Sequence, residues 1–493
     1  MQLRRIAPVA LPVVFAVFPL LSLFQQNETD VELGVLWWPL LVCVAVGAGL
    51  YGLFLLIFRD GLKAAAVASL VVVAFFYFGI FASKISLSQW WFFALWVVLF
   101  VAGLVVLVRT TTGLRELAVV LGVVVTVLVL LPLVRIAVYQ ANHPIVSVSD
   151  TRLWADPLSP PAKPSGRLPD IYVLVPDDYA RSDVLARFFH YDDSWFIKAL
   201  KKRGFVVAKD SRSPYSDSEM NIAAATNMDY LTGLGNILGS KSQDVRPVRR
   251  LVADNRAARL LKPLGYRYVH LDTDEVTFPV TNPDVSTLSV PDSFANLWLQ
   301  KSVLRLAGFS DGAIHDRFRH AIRSQFSKLG DVAREPGPKF VVFHTLLPHD
   351  PYIFGQQGES VTFPYHTDES LGSSVGMQYY VRQLRFLSHK LLDAMDAILA
   401  ASKTPPVIVI QSDEGFQASS PPFSEGAMQQ VRVKGLIALH LPGVNAHPPE
   451  KLNTVNTLRF VFNRYFGTHY PLLRSASYPE QDFPYQFQEM RVR

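Results

Sequence analysis

The chain has 493 residues, half of them hydrophobic and only 18% charged. Water-soluble globular proteins carry about 25% charge, so composition alone points to a membrane component and excludes disorder, collagen-like repeats and a disulfide-built scaffold. The net charge of +6 is small for this size and gives no footprint for nucleic acid.

The charge deficit is local. Of the 47 Lys/Arg and 41 Asp/Glu residues, eight and five precede residue 145, leaving 39 and 36 for an ordinary soluble remainder. Within residues 1–144 five apolar stretches stand out: Ile6–Phe24, Val35–Phe58, Ala64–Phe81, Trp90–Val108 and Leu117–Ile136. Each is roughly 18–24 residues, enough at about 1.5 Å per residue to cross a bilayer core. Trp37, Trp38, Trp90 and Trp91 stand at segment ends, where indoles favour the interface. With the N-terminus inside, the inner segments hold Arg4, Arg5, Arg59, Lys63, Arg109 and Arg115, while the first outer loop holds Glu28, Asp30 and Glu32. That asymmetry follows the positive-inside rule and places everything after Ile136 outside the cytoplasmic membrane. The first span lacks a small-x-small cleavage site after Phe24 and is read as retained. No ionisable residue lies mid-span, which reads as an anchor more than a proton or ion pathway.

Cys43 falls in the second span, so the exported part has neither a disulfide nor a Cys ligand or nucleophile. Residues 145–168 read as a linker, stiffened by Ser159-Pro160-Pro161-Ala162-Lys163-Pro164-Ser165-Gly166. From residue 169 to 493, short apolar runs alternate with helical stretches. The runs are Ile171–Val175, Phe205–Ala208, Tyr266–Leu271, Lys339–Phe343, Pro406–Gln411 and Leu436–Leu441. Among the helical stretches are Asp193–Arg203, Arg249–Leu264 and Gln378–Ala400. This alternation predicts an α/β/α domain with a mainly parallel sheet.

In such folds reactive groups gather beyond the carboxyl ends of strands. Three strand ends here carry acids or imidazoles: Pro176-Asp177-Asp178-Tyr179, then His344 through Tyr352 with His349-Asp350, and Gln411-Ser412-Asp413-Glu414-Gly415. Oxygen and nitrogen donors without sulfur suit Mg²⁺, Mn²⁺ or Zn²⁺. Taken singly, Asp177 also reads as a helix cap and Asp413-Glu414-Gly415 as a turn; recurrence at three strand ends favours the site.

At these residues the sequence resembles the alkaline phosphatase/sulfatase superfamily, and within it bacterial membrane proteins with a sulfatase-like extracytoplasmic domain. The matching stretches are Pro169–Arg181, Asn227-Met228-Asp229-Tyr230-Leu231, Leu347–Tyr352, Gln411–Gly415, and Val455–Arg459 through Phe462–Gly467. Five spans before such a domain also resemble the architecture of lipoteichoic acid synthases and lipid A phosphoethanolamine transferases. The resemblance implies a metal-bound hydroxyl nucleophile at Ser218, within Tyr215-Ser216-Asp217-Ser218-Glu219, with Ser216 its rival; either serine also reads as a simple helix cap. It implies metal ligation by Asp177, Ser218, Asp413 and Glu414, the last standing where the family has His. The harder donor set favours one Mn²⁺ or Mg²⁺ over Zn²⁺. His349 is implied as a catalytic and substrate-facing imidazole, and His344 as a second substrate-facing one. The formylglycine context of sulfatases, Cys or Ser-x-Pro-x-Arg, is not met by Ser211-Arg212-Ser213-Pro214-Tyr215, so sulfatase activity is not expected.

Three functions stay open on this basis. The first is a membrane-bound phosphotransferase moving a phosphoglycerol- or phosphoethanolamine-type headgroup from a phospholipid donor, through a Ser-linked intermediate, to a glycan or glycolipid. The second is a phosphoester hydrolase of the same superfamily, and the third a catalytically silent scaffold.

Overall fold

A computed structural model of the chain describes residues 3–492 except 86, 111, 144–145, 163–165, 273–284, 289–292, 307–310, 362–372, 418–422, 445–446 and 480. Of the expected linker, residues 145 and 163–165 therefore lie outside the described residues. The chain divides into two compact units, one of Met1–Pro144 with Pro291–Ile314 and the other of Ile145–Val290 with His315–Arg493.

The first unit is helical. Among the described residues, three stretches are long and apolar enough to cross a membrane: Leu33–Phe58, Gln89–Arg109 and Leu114–Asn142. Two further apolar stretches, Ala10–Gln26 and Gly61–Phe76, fall short of 18 described residues, so three of the five expected spans are matched by membrane-capable helices. The shortening of the third apolar stretch coincides with a contact far along the chain. Its helix ends at Phe76 and restarts as Phe78–Ala82. There Gly79 donates its N–H to the carbonyl of Lys301, and a Cβ on Gly79 would meet the Gln300 and Lys301 backbone. Gln300 ends the helix Ser293–Gln300, whose Phe294 and Trp298 pack on Phe24, Trp38 and Phe76.

Close approach holds these helices together. Gly47 is buried with Val13 so near that a Cβ would lie 2.8 Å from the Val13 Cα. Polar side chains tie one helix to the backbone of the next: Tyr77 donates to the Phe15 carbonyl and Trp96 to that of Ala74. Lys63 caps the open carbonyls at the end of Gln89–Arg109 through Val108.

Among the described residues, the second unit is built on a sheet of seven strands: β1 (Ile171–Asp177), β2 (Phe205–Val207), β4 (Arg267–Asp272), β5 (Val285–Leu288), β6 (Lys339–Pro348), β7 (Val407–Gln411) and β8 (Ile437–His440). A separate two-stranded ladder pairs β3 (Asp210–Arg212) with β9 (Lys451–Asn453). The order in the large sheet is β2-β8-β7-β1-β6-β4-β5. From β7 to β5 every pairing is parallel, whereas β8 runs antiparallel to both β7 and β2. The sheet is mixed, which corrects the mainly parallel expectation.

Both faces are covered, as the uninterrupted burial of β1 requires. Ile171, Val173, Phe340, Val342, Val407 and Val409 face one core, shared with Met220, Leu251, Leu261 and Leu458 from four helices. On the other face Phe326 packs on Phe343, and the helix Ser374–Ala401 lies against β6. Val146, Val148 and Leu153 belong to the first of these cores, and Arg256 stacks on Trp154, so much of the expected linker is folded into the unit.

Candidate active site

The carboxyl ends of β1, β4, β6 and β7 meet at one edge of the sheet. At β1 the strand closes with Asp177, and Asp178 follows in the left-handed region at φ 60°. Asp tolerates that conformation better than most residues. Tyr380 holds the turn from above, donating its hydroxyl to the Asp178 carbonyl while accepting from Ala180 N–H. Ser412 holds it from β7: its hydroxyl accepts from Tyr179 N–H and lies within hydrogen-bonding distance of the carbonyls of Pro176 and Glu414.

On β6 the register brings His344 level with Val175 of β1 and Asp272 of β4, and an irregularity then pairs Asp177 with Pro348. Gln325 donates to the carbonyls of both Leu271 and His344, locking β4 and β6 at this level. On β7 the strand end delivers Asp413, whose Oδ1 accepts from Glu414 N–H at 2.7 Å and Asp178 N–H at 3.3 Å.

Ser218 opens the helix Ser218–Asn227. The cap is the residue before it: Asp217 accepts from Met220 N–H, and Glu219 is taken by Arg249. Neither Ser216 nor Ser218 supplies the side-chain cap, and Ser218 Oγ lies 3.4 Å from Asp177 Oδ1. The helix N-terminus adds a positive dipole end beside that hydroxyl.

Among the described residues, two sets each bring their ligating atoms within 4.8 Å of one another: Asp177, Asp178 and His349, and Asp177, His344 and Asp413. Their fit to a cation rests on the chemistry of the cluster. Asp177, Asp178, Asp413 and Glu414 are all at most 3% exposed. Asp178 Oδ1, Asp413 Oδ2, Glu414 Oε2 and His344 Nε2 are buried without a hydrogen bond. Four carboxylates in so dry a place repel one another unless protonated or neutralised. Burial, reinforced by neighbouring Asp177, pushes Asp178 up to about 7. Burial and the neighbouring carboxylates likewise raise Asp413 and Glu414 well above the usual range, while Arg432 pulls Glu414 the other way. Asp177 is lowered: His349 and His344 outweigh its burial. Both imidazoles are raised, because Asp272 and Asp177 around His344, and Asp178 and Asp177 around His349, outweigh desolvation. An oxygen-rich set with imidazole nitrogen suits a hard or borderline dication.

All six residues singled out by sequence therefore lie at this sheet edge, in three arrangements. Asp177, Asp413 and Ser218 come together. Glu414 turns Oε2 toward Arg432 Nε at 3.8 Å and joins neither ligating set. His344 is fully buried among the carboxylates, and His349 is half-open, bonded to Gln417 and the Asp350 carbonyl.

Sequence reading passed over Asp178 and Asp272. Asp178 was adjacent to a chosen residue, and Asp272 ends β4 as Asp177 ends β1; the same strand-end rule applied to the Tyr266–Leu271 run finds it. Asp272 Oδ1 sits 3.1 Å from His344 Nδ1, its Oδ2 3.3 Å from His270 Nε2, and His270 Nδ1 3.2 Å from the Tyr268 hydroxyl.

No family model matches the sequence, and no curated protein does. Solved structures do align with it. The C-terminal periplasmic domain of EptC from Escherichia coli, in complex with Zn, aligns at a TM-score of 0.43 and 12% identity, over 63% of this chain and 87% of that one. The corresponding domain of phosphoethanolamine transferase EptC from Campylobacter jejuni gives 0.39 and 13%, over 60% and 90%. A 2-O GAG sulfatase gives 0.42 and 12%, over 62% and 72%. Phosphoethanolamine transferases and sulfatases are the kinds of protein that the strand-end motifs resemble. Likeness at this level assigns no substrate, mechanism or residue role to the chain.

Proposed function

We propose that the chain is a membrane-anchored, metal-dependent phosphotransferase acting at the outer face of the cytoplasmic membrane. Its substrate is a phospholipid headgroup of phosphoglycerol or phosphoethanolamine type, the latter the group in the name of one structural neighbour. The observation that carries the reading is the Ser218 hydroxyl, left out of helix capping and set 3.4 Å from Asp177 beside the acidic cluster.

Asp177, Asp178 and Asp413 would hold the dication with Ser218 at its edge. A bound dication neutralises phosphoryl charge and makes a hydroxyl nucleophilic at neutral pH. Ser218 Oγ attacks phosphorus, and its proton passes toward the Asp177 carboxylate. The bond from phosphorus to the diacylglycerol oxygen breaks, that oxygen takes a proton from His349, and diacylglycerol leaves. The headgroup stays esterified to Ser218 until an acceptor hydroxyl on a glycan or glycolipid displaces Oγ, which regains its proton. The helix N-terminus steadies the transferring group, and tethering by the membrane-capable helices raises the effective concentration of lipid donors.

The test uses the full chain in liposomes with Mn²⁺ and labelled phosphatidylglycerol or phosphatidylethanolamine, reading diacylglycerol release for wild type and Ser218→Ala. Release lost in the variant supports the reading. Release that survives moves the nucleophile elsewhere, and free headgroup phosphate in place of transferred product makes the enzyme a hydrolase. No release from either lipid, together with no bound metal, makes the chain a silent scaffold.

A further inference from the structure

The acidic cluster has three ionisable strand ends and, behind them, a fourth that no part of the proposed transfer uses. Asp272 closes β4 at 1% exposure, between two fully buried imidazoles. A carboxylate only accepts hydrogen bonds. Its Oδ1 therefore takes an N–H from His344 Nδ1 at 3.1 Å, and its Oδ2 an N–H from His270 Nε2 at 3.3 Å. With the Nδ1 position committed to a proton, the neutral His344 ring carries its lone pair on Nε2. That atom lies 3.7 Å from Asp177 Oδ2 and 4.0 Å from Asp413 Oδ2, and neither it nor Asp413 Oδ2 has a hydrogen-bond partner.

The backbone fixes this aim as firmly as the side chains do. His344 stands opposite Asp272 in the parallel register of β4 and β6, and Gln325 clamps the two strands at that level. Behind Asp272 the support continues through His270 and Tyr268 to Asn255, whose Nδ2 reaches the Tyr268 hydroxyl while its Oδ1 caps Ala258 N–H. A nitrogen ligand backed by a carboxylate on its other ring nitrogen is the usual arrangement of a metal-binding His. Glu414, meanwhile, points its Oε2 at Arg432.

Resting on the metal-dependent reading above, we infer that His344 supplies the nitrogen ligand of the dication through Nε2, with Asp272 as the positioning residue that presents it. The cation site then draws Asp177 from the end of β1, Asp413 from the turn after β7 and His344 from β6, while Glu414 serves as the anchor of Arg432.

The experiment uses the full chain in detergent with Mn²⁺ as the probe. Affinity is read from the electron paramagnetic resonance of free ion, and nitrogen ligation from pulsed spectra of protein labelled with ¹⁵N-histidine. Wild type is expected to bind Mn²⁺ with a histidine-nitrogen coupling that persists in His349→Gln and vanishes in His344→Gln. Asp272→Asn is expected to keep the coupling and weaken affinity by about 10- to 100-fold, whereas Glu414→Gln should stay within about threefold of wild type. The wild-type and His349→Gln spectra carry the test should His344→Gln fail to fold. Bound Mn²⁺ with no nitrogen coupling, or a coupling lost in His349→Gln and kept in His344→Gln, overturns the inference and leaves the metal-dependent reading intact. No Mn²⁺ binding by wild type overturns both.

Discussion

The helical unit and the sheet-based unit bury opposite things. In the first, large apolar side chains such as Leu56, Trp90 and Trp91 face outward, at 79%, 62% and 76% exposure, while Ala64, Ala68 and Gly47 pack inside. In the second, the interior holds Arg459, His270, His344, Asp229, Asp272 and Asp413 at 2% exposure or less. The contrast follows from solvent. Helices surrounded by lipid gain nothing from hiding apolar surface, so close backbone approach and side-chain bonds to carbonyls must hold them. A water-exposed domain has a hydrophobic core to draw on, and that core can bear the cost of burying charges that chemistry needs.

The contrast between the two units can be tested by substitution and by pH. The largest effect is chemical: Ser218→Ala should lower headgroup release by at least about 10³-fold while leaving the melting temperature in place. Next is a buried ion pair of the sheet unit. Arg246→Ala strands Asp244, which is 1% exposed, and should cost about 3–5 kcal/mol in denaturant unfolding.

A third measurement concerns the acidic cluster without metal. Asp178, Asp413, Glu414, His344 and His349 all have folded pKa values above their ordinary ones. The folded chain therefore holds more protons than the unfolded chain between the ordinary carboxylate range and neutrality. Stability falls as pH rises through that window, and Asp177, lowered, opposes this only in part. The melting temperature of metal-free protein should drop from pH 5 to pH 8. Saturating Mn²⁺, at about 100 times its Kd, should restore about 2.7 kcal/mol. A flat pH profile would mean the carboxylates are neutralised some other way.

In the helical unit, Gly47→Leu should cost about 1–3 kcal/mol by prising two helices apart. Gly52→Ala, with nothing within 4 Å of its Cβ, should change stability by less than about 0.5 kcal/mol. Smallest of all, Lys209→Ala removes an exposed pair with Glu450, 81% and 75% exposed, and should cost under about 1 kcal/mol, less in high salt.

Local pattern carried the strands well. All six apolar runs read after residue 168 became strands within a few residues, because a short apolar run buried on both faces has few other uses. Arg249–Leu264 split into Arg246–Ala253 and Arg256–Leu261, since Asn255 bonds to the Ala258 N–H and starts a second helix. Strands β3 (Asp210-Ser211-Arg212) and β9 (Lys451-Leu452-Asn453) carry no apolar run, unlike the equally short β2, and they went unread. Asp177 was legible because it ends a strand and Asp413 because it closely follows one; the turn of Glu414 Oε2 toward Arg432 was not, because Arg432 sits on the separate helix Glu425–Arg432.

Legible from the residues alone were the apolar helical stretches, the positions of most strands in the large sheet, and the strand ends where acids and imidazoles collect. Those follow from composition and periodicity, which neighbours along the chain fix. Tertiary structure alone decided the direction of β8, the break in the third apolar helix, the docking of Phe294 and Trp298 among the apolar helices, and the line from Asp272 to His344. Each of these depends on residues far apart in the chain meeting in one register, and no local window contains both partners.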